Sequence, residues 1–190
     1  MLQLIEQKNI NPELLYSEME KQFPKNELKT KDIFAKVLNN KNYKVFFIMD
    51  GEVFCGYFTF LEFPDNTILL EYFAINKEFH NKGYGSETFK IMQKTFKYKG
   101  CYLEVEKKNP DKINTFRRVL FYENLGAKKL DINYLYPNIL GILPMDLYFM
   151  PYGSNEYFPK KSEILANIET AFENIHFDID NRANILAQMC

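Results

Sequence analysis

The chain has 190 residues, of which 46% are hydrophobic and 26% are charged, and its formal net charge is −1. This composition argues against an intrinsically disordered protein. A chain of this length is expected to fold as one globular unit without disulfides or a structural metal. The charge balance argues against nucleic acid or an anionic membrane surface as a partner.

The N-terminal third of the chain predicts one strand followed by two helices. Residues 1–7 alternate weakly in hydrophobicity, as a strand does. Residues 11–13, Asn-Pro-Glu, open the first helix, because Asn can cap it, Pro fits its first turn and Glu suits its positive end. That helix ends at Pro24. A second helix runs from about Thr30 to the polar residues 39–42.

The rest of the chain predicts strands joined by hairpins and then strands that alternate with helices. Aromatic and β-branched residues mark the strands, and Asp50-Gly51 is a hairpin signal. Gly126 stands where the C-cap of a helix is expected. The predicted strands are 43–49, 53–63, 67–75, 101–106, 128–136 and 142–150, and the predicted helices are 84–97, 113–125 and 162–175.

Strands and helices alternate only in the middle of the chain, which argues against a doubly wound fold. The sequence therefore predicts a mixed α/β protein of the α+β kind, with a mostly antiparallel central sheet, helices around it and one parallel crossover. Residues 1–150 are the predicted domain. Residues 151–190 are predicted to form a C-terminal helical extension that packs on the same domain.

The cysteine and histidine pattern predicts a cytoplasmic protein without a metal site. Cys55, Cys101 and Cys190 are odd in number and lack a Cys-x-x-Cys spacing, as expected of reduced thiols. His80 and His176 lie far apart without partner cysteines. The N-terminus does not resemble a signal peptide, and no apolar run approaches the roughly 20 residues of a membrane-spanning helix.

Arginine is scarce, since Arg117, Arg118 and Arg182 are the three arginines among 24 basic residues. An excess of Lys and Asn is typical of a genome rich in A and T, so a pair of arginines marks a place where Lys does not serve. The guanidinium group binds a carboxylate in a fork, and Arg117 or Arg118 is a candidate partner for Glu104 or Glu106.

The most informative segment is residues 69–86, in which an apolar strand leads through a polar loop to Gly-Tyr-Gly at 83–85. The free N–H groups and the dipole of a helix start favour an anion, and glycines let a phosphate approach closely. His80 and Lys82 can add positive charge. The segment lacks both the Gly-Lys-Ser/Thr of a nucleotide P-loop and the third glycine of the dinucleotide fingerprint.

Two motifs together resemble the GNAT superfamily of acyl-CoA-dependent N-acetyltransferases. They are HNKGYGS at 80–86 and FYENLGA at 121–127, separated by one strand and one loop. His80 stands where the family usually has Arg or Gln. The resemblance covers about residues 1–150 and implies a GNAT-like sheet in which two central strands form a parallel, V-shaped splay.

The resemblance implies acetyl-CoA as co-substrate, bound along one splayed strand and over the glycine loop. Backbone groups of Phe73 and Ile75 would pair with the pantetheine as an added strand does, and one N–H could polarise the thioester carbonyl. Asn109 and Asn114 are alternative contacts. The predicted cofactor-binding residues are Phe73, Ile75, His80, Asn81, Lys82, Gly83, Tyr84, Gly85, Ser86 and Asn114.

The resemblance also implies direct attack of an amine on the acetyl group in a ternary complex. Tyr122 is the predicted general acid, which protonates the leaving thiolate. Glu71 is the predicted general base, directly or through water, since strand alternation predicts that it faces the same side as Phe73. An ion pair is the other interpretation of Glu71, and Glu104, Glu106 and water stay open as the base.

The predicted acceptor is a primary amine of a small molecule or a peptide, and a homodimer stays open. A second hypothesis is an acyl-CoA-binding module that senses or regulates without turnover. The substitution at His80 leaves room for that hypothesis.

Overall fold

The computed structural model describes residues 1–109, 111–138, 141–153 and 157–189. The strands are β1 (Leu2–Glu6), β2 (Tyr43–Asp50), β3 (Val53–Glu62), β4 (Ile68–Ile75), β5 (Gly100–Glu106), β6 (Lys128–Lys129), β7 (Leu135–Asn138) and β8 (Gly141–Pro151). The helices are α1 (Pro12–Gln22), α2 (Lys31–Leu38), α3 (Tyr84–Thr95), α4 (Ile113–Asn124), α5 (Lys161–Asn174) and α6 (Arg182–Ala187). Short 3-10 turns span Lys25–Glu27 and Lys77–Phe79.

The strands form one sheet in the order β1-β2-β3-β4-β5-β8-β6, and β7 pairs with the first part of β8. Among the described residues, β4 and β5 are the one parallel pair, and all other neighbours are antiparallel. The predicted mixed, mostly antiparallel sheet with one parallel crossover is confirmed.

The parallel pair separates after three residues. Residues 68–70 of β4 pair with residues 101–103 of β5. Beyond that point β4 stays on β3 as far as Ile75, while β5 stays on β8 as far as Glu106. A V-shaped gap therefore opens between the C-terminal halves of the two strands, as predicted.

A β-bulge in β4 lies where the gap begins. Thr59 of β3 pairs with Tyr72 and the next residue of β3 pairs with Leu70, which leaves Glu71 as the extra residue on β4. The Tyr72 N–H donates to the hydroxyl of Thr59 at 3.3 Å. A bulge bends its strand and changes the direction of the side chains that follow.

The bulge reverses the alternation along β4, so the predicted orientation of Glu71 is wrong. Phe73 and Ile75 pack with the core against α3 and α4. The carboxylate of Glu71 instead contacts Tyr43 and Lys29 on the opposite face of the sheet. Strand alternation fails here because one inserted residue breaks the two-residue period.

Two apolar cores cover the two faces of the sheet. One core, which includes Phe34, Tyr72 and Phe172, packs the sheet against α1, α2, α5 and α6. The other, which includes Phe58 and Phe89, packs it against α3 and α4. Residues from beyond position 150 thus share a core with the N-terminal helices. In the described ranges, no helix combines the length and the apolar character needed to cross a bilayer.

The late strands differ from their predicted extent. The predicted strand 128–136 is two short strands, β6 and β7, joined by residues 130–134. Asp131 and Asn133 interrupt it, since both residue types are unfavourable in strands, while Leu130 and Tyr134 are buried by packing. Helix α6 was not predicted.

We expect Gly56→Ala to destabilise the fold, because a Cβ at this position would lie 2.2 Å from the carbonyl oxygen of Ala74 in β4. Overpacking of this kind costs about 1–3 kcal/mol. Urea unfolding of the variant measures the loss. Glu52→Ala, an exposed change in the adjacent turn, should stay within about 0.5 kcal/mol of the wild type. Equal stability of the two variants would contradict the close β3–β4 approach.

Candidate active site

The gap between β4 and β5 is part of a cleft of about 910 Å³. The end of α1, the C-terminal halves of β4 and β5, the loop before α3, the first turns of α3 and α4, and the β7–β8 hairpin all contribute to its walls. Because β4 and β5 separate, the cleft is lined by residues from both faces of the sheet.

The edge of β4 presents free backbone groups to this cleft. The N–H of Asn76 donates to Cys55 of β3 at 2.8 Å, and the N–H of Tyr72 also faces β3. Hydrogen-bonding direction alternates along an antiparallel strand, so the N–H groups of Phe73 and Ile75 face the gap. The gap-facing carbonyl oxygen of Ile75 accepts a hydrogen bond from His80 Nε2 at 2.7 Å.

The predicted glycine loop lies at one end of the cleft. Gly83 has φ = +82° and precedes the first residue of α3, and no atom lies within 4 Å of the position that a Cβ would occupy. Asn81 also has positive φ. The free N–H groups at the start of α3 are therefore open to an anion.

Most predicted cofactor-binding residues lie together, with two exceptions. The cleft is lined by Phe73, Ile75, His80, Asn81, Gly83, Tyr84, Gly85 and Ser86. Lys82 is exposed, with its ammonium 5.6 Å from the ring centre of Phe79, and does not line the cleft. Asn114 is exposed on the first turn of α4, whereas Asn109 does line the cleft. Of the two alternatives, the geometry favours Asn109.

Tyr122 lies on α4, on the α3–α4 side of the gap. Its ring packs against Phe89 and Phe121 with centroids 5.7 and 5.2 Å away. Burial raises the pKa of Tyr122 to about 12, although Arg118 opposes the shift. The phenol is therefore protonated at neutral pH and can donate a proton.

Glu104 lies on β5 and faces the opposite side of the sheet from Tyr122. The hydroxyl of Tyr134 donates a hydrogen bond to its carboxylate. Burial raises the pKa of Glu104 to about 7, the Tyr134 hydrogen bond lowers it, Glu71 raises it and Lys29 lowers it. A carboxylate with a pKa near the ambient pH is well suited to accept a proton.

Glu71 lines the cleft but its side chain is only 1% exposed. Its carboxylate lies 2.8 Å from Lys29 Nζ and accepts a hydrogen bond from the Tyr43 hydroxyl. Sequence reasoning missed Lys29, which has no recognisable motif around it. Of the predicted arginine–glutamate pairs, Arg118 and Glu106 are found together, since Arg118 Nη1 lies 3.4 Å from Glu106 Oε2 at the cleft wall.

The gap between β4 and β5, called the slot below, thus has a protonated phenol on one side and a carboxylate on the other. Free N–H groups of β4 lie along its edge. The sequence model of the GNAT acetyltransferase family matches residues 12–121, which is more than half of the chain. The chain belongs to this family. Members of the family are acetyltransferases, and the family co-substrate is acetyl-CoA.

Solved structures of the family have the same fold. A protein from Bacteroides thetaiotaomicron described as a GNAT-family acetyltransferase has a TM-score of 0.72 at 23% identity, over 95% of this chain and 99% of that chain. The ribosomal-protein-S18-alanine N-acetyltransferase from Escherichia coli has a TM-score of 0.57 at 20% identity, over 83% and 100%. Spermidine N-acetyltransferase from Vibrio cholerae, in complex with CoA and spermine, has a TM-score of 0.54 at 12% identity, over 80% and 95%. No curated protein matches the sequence.

Replacing Gly83 by Asn is expected to weaken CoA binding. Asn tolerates positive φ better than other side chains, so the backbone is retained while a side chain enters the open space at the start of α3. We expect the Kd for CoA, measured by calorimetry, to rise at least about tenfold, which is 1.4 kcal/mol.

The matched control is Gly153→Asn, which introduces Asn at a second glycine with positive φ and open space, outside the cleft. This control should bind CoA as the wild type does. If Gly83→Asn also binds normally, the glycine loop is not the phosphate site.

Proposed function

We propose that the protein transfers the acetyl group of acetyl-CoA to a primary amine by direct attack in a ternary complex. The observation that carries the proposal is the slot itself, with Tyr122 on one side of the sheet and Glu104 on the other. Acetyl-CoA, when bound, supplies an activated thioester. The residues of the chain then need only to orient it and to move protons.

The binding role falls to the edge of β4 and the glycine loop. The N–H groups of Phe73 and Ile75 fit the amide groups of a pantetheine chain laid along the strand edge. The loop at 81–86 fits the pyrophosphate, since its glycines leave room and the start of α3 offers N–H groups. His80 fixes the loop to the end of β4 through the Ile75 carbonyl.

We assign the role of general base to Glu104, and the role of its charged neighbour to Glu71. Glu104 takes the proton that the amine loses as the C–N bond forms. Its protonation equilibrium near pH 7 suits this task, whereas Glu71 is already engaged by Lys29. Glu106 is paired with Arg118 at the cleft wall.

Tyr122 completes the reaction as general acid. As the C–S bond breaks, its phenol donates a proton to the departing thiolate of CoA. A phenol with a pKa of about 12 is protonated at neutral pH, so it carries the proton that this step requires. Cys55 and Cys101 are buried, and direct attack requires no cysteine nucleophile.

The acceptor is a small-molecule or peptide amine, and we propose that the protein works in the cytoplasm. The acceptor would enter on the side of Glu104, between the α1 end, with Phe23 and Glu27, and the β7–β8 hairpin, with Leu143 and Met145. Two of the structural relatives named above are N-acetyltransferases of a ribosomal protein and of spermidine, a polyamine. Both acceptor classes are therefore included in the assay.

Release of free thiol from acetyl-CoA in the presence of a panel of amines tests the proposal. We expect turnover that depends on the amine, and a rise in melting temperature with acetyl-CoA alone. Tight binding without turnover on any amine would instead favour the sensor hypothesis. An unchanged melting temperature at saturating acetyl-CoA would exclude both functions.

Tyr122→Phe should reduce kcat about 100-fold or more, the range expected for loss of a general acid, with Kd for acetyl-CoA nearly unchanged. Steady-state kinetics and calorimetry measure the two quantities. Tyr98→Phe is the matched control, because it removes a phenol hydroxyl that is bonded to Glu62, outside the cleft. A kcat for Tyr122→Phe equal to that of the control would remove Tyr122 from the mechanism.

The rate should rise with pH through about pH 7, because the base acts only when Glu104 is ionised and its pKa is about 7. Glu104→Gln should abolish this limb and reduce kcat about 100-fold or more. The matched change is Glu106→Gln, because Glu106 lies two residues further along the same strand. If Glu106→Gln abolishes the limb instead, the base is Glu106.

A further inference from the structure

Lys29, Glu71 and His176 meet in the interior, on the face of the sheet that carries Glu104. Lys29 Nζ lies 2.8 Å from Glu71 Oε1 and 3.4 Å from His176 Nδ1. The side chain of Lys29 is 7% exposed, and His176 is 2% exposed. Three polar groups from the N-terminal, central and C-terminal parts of the chain therefore share one buried site.

The hydrogen-bond direction between Lys29 and His176, and the charge of His176, follow from the chemistry of the two groups. A lysine ammonium has only donors, so His176 Nδ1 must accept, and the imidazole is neutral. Burial, Lys29 and Arg182 hold the pKa of His176 well below its usual value. His176 therefore orients the ammonium without adding a second positive charge.

The C-terminal segment holds His176 firmly in place. Arg182 Nη1 donates to the carbonyl oxygens of His176, Phe177 and Ile179, two of them at 3.3 and 2.8 Å. The imidazole packs edge-to-face with Tyr136, whose side chain lines the cleft. Phe172 of α5 packs on it as well. The turn after α5 thus presents one imidazole nitrogen to Lys29.

The buried group is coupled to Glu104 through charge. Glu71 and Glu104 directly follow the last paired residues of β4 and β5, and both line the cleft. Lys29 is paired with Glu71, and its positive charge also favours the ionised form of Glu104. The charged and titratable groups around them include Tyr43 from β2, Tyr72 from β4, Glu27 from the turn after α1, Tyr134 and Tyr136 from the β7 segment, and Arg182 from α6. The position of the Lys29 ammonium therefore affects how readily Glu104 ionises.

We propose that Glu71, Lys29 and His176 are positioning residues for the general base Glu104. In this proposal His176 fixes the position of the Lys29 ammonium, whose positive charge offsets the negative charges of Glu71 and Glu104. The proposal rests on the proposed function. It makes the segment beyond residue 150, which lies outside the family match at 12–121, a working part of the acetyl-transfer site.

Two histidine variants test the positioning role against a merely structural one. His176→Phe keeps aromatic packing with Tyr136 but removes the acceptor for Lys29. His176→Asn places an oxygen close to the position of Nδ1. We expect the midpoint of Glu104 ionisation to shift upward in His176→Phe and to return towards the wild-type value in His176→Asn.

A third variant shifts the same midpoint in the opposite direction. Glu71→Gln keeps the shape of the side chain and removes the negative charge that opposes ionisation of Glu104, so the midpoint should fall by about 1 pH unit or more. This variant carries the test if His176→Phe does not fold.

The midpoint is read directly by NMR titration of the carboxyl carbon of Glu104, assigned by its absence in Glu104→Gln. The pH limb of kcat should shift by the same amount in each variant. Identical midpoints in the wild type, His176→Phe and Glu71→Gln would overturn the proposal, even if their melting temperatures differ. Midpoints that shift as expected in a protein without turnover on any amine would uphold the charge coupling of these residues to Glu104 and refute the proposed function.

Discussion

The site depends on the point at which β4 leaves β5. The parallel ladder ends after Leu70 and Leu103, and the next residue of β4, Glu71, is the bulged one. A continuous ladder would fill the gap with backbone hydrogen bonds. Because it stops, the edge of β4 keeps free N–H groups, and groups on the two faces of the sheet, Tyr122 and Glu104, reach the same slot.

Charge is arranged locally in a chain whose net charge is close to zero. Three carboxylates on β4 and β5 differ in their partners: Glu71 has Lys29, Glu106 has Arg118, and Glu104 has the neutral hydroxyl of Tyr134. Glu104 is therefore the one that lacks a cation of its own among these three. A neutral partner stabilises a buried carboxylate less than a cation does, so Glu104 takes up a proton more readily.

The sequence could predict what depends on local pattern. Strand and helix positions, the glycine loop and Tyr122 follow from periodicity, capping and two motifs. The orientation of Glu71 could not be predicted, because a bulge depends on pairing with Thr59 and its neighbours rather than on β4 alone. Nor could the contact between Lys29 and His176, which are 147 positions apart and carry no spacing signal. Long-range buried contacts of this kind arise from packing of whole elements.

The place of His176 in the chain has a consequence for biosynthesis. Proteins are synthesised from the N-terminus, so Lys29, Glu71 and Glu104 all emerge from the ribosome before the turn after α5. A nascent chain can assemble the sheet and the glycine loop while the interior next to Glu104 still lacks its imidazole. The charges around Glu104 reach their final arrangement only when α5 and α6 dock, so the group of Lys29, Glu71 and His176 is completed late in folding.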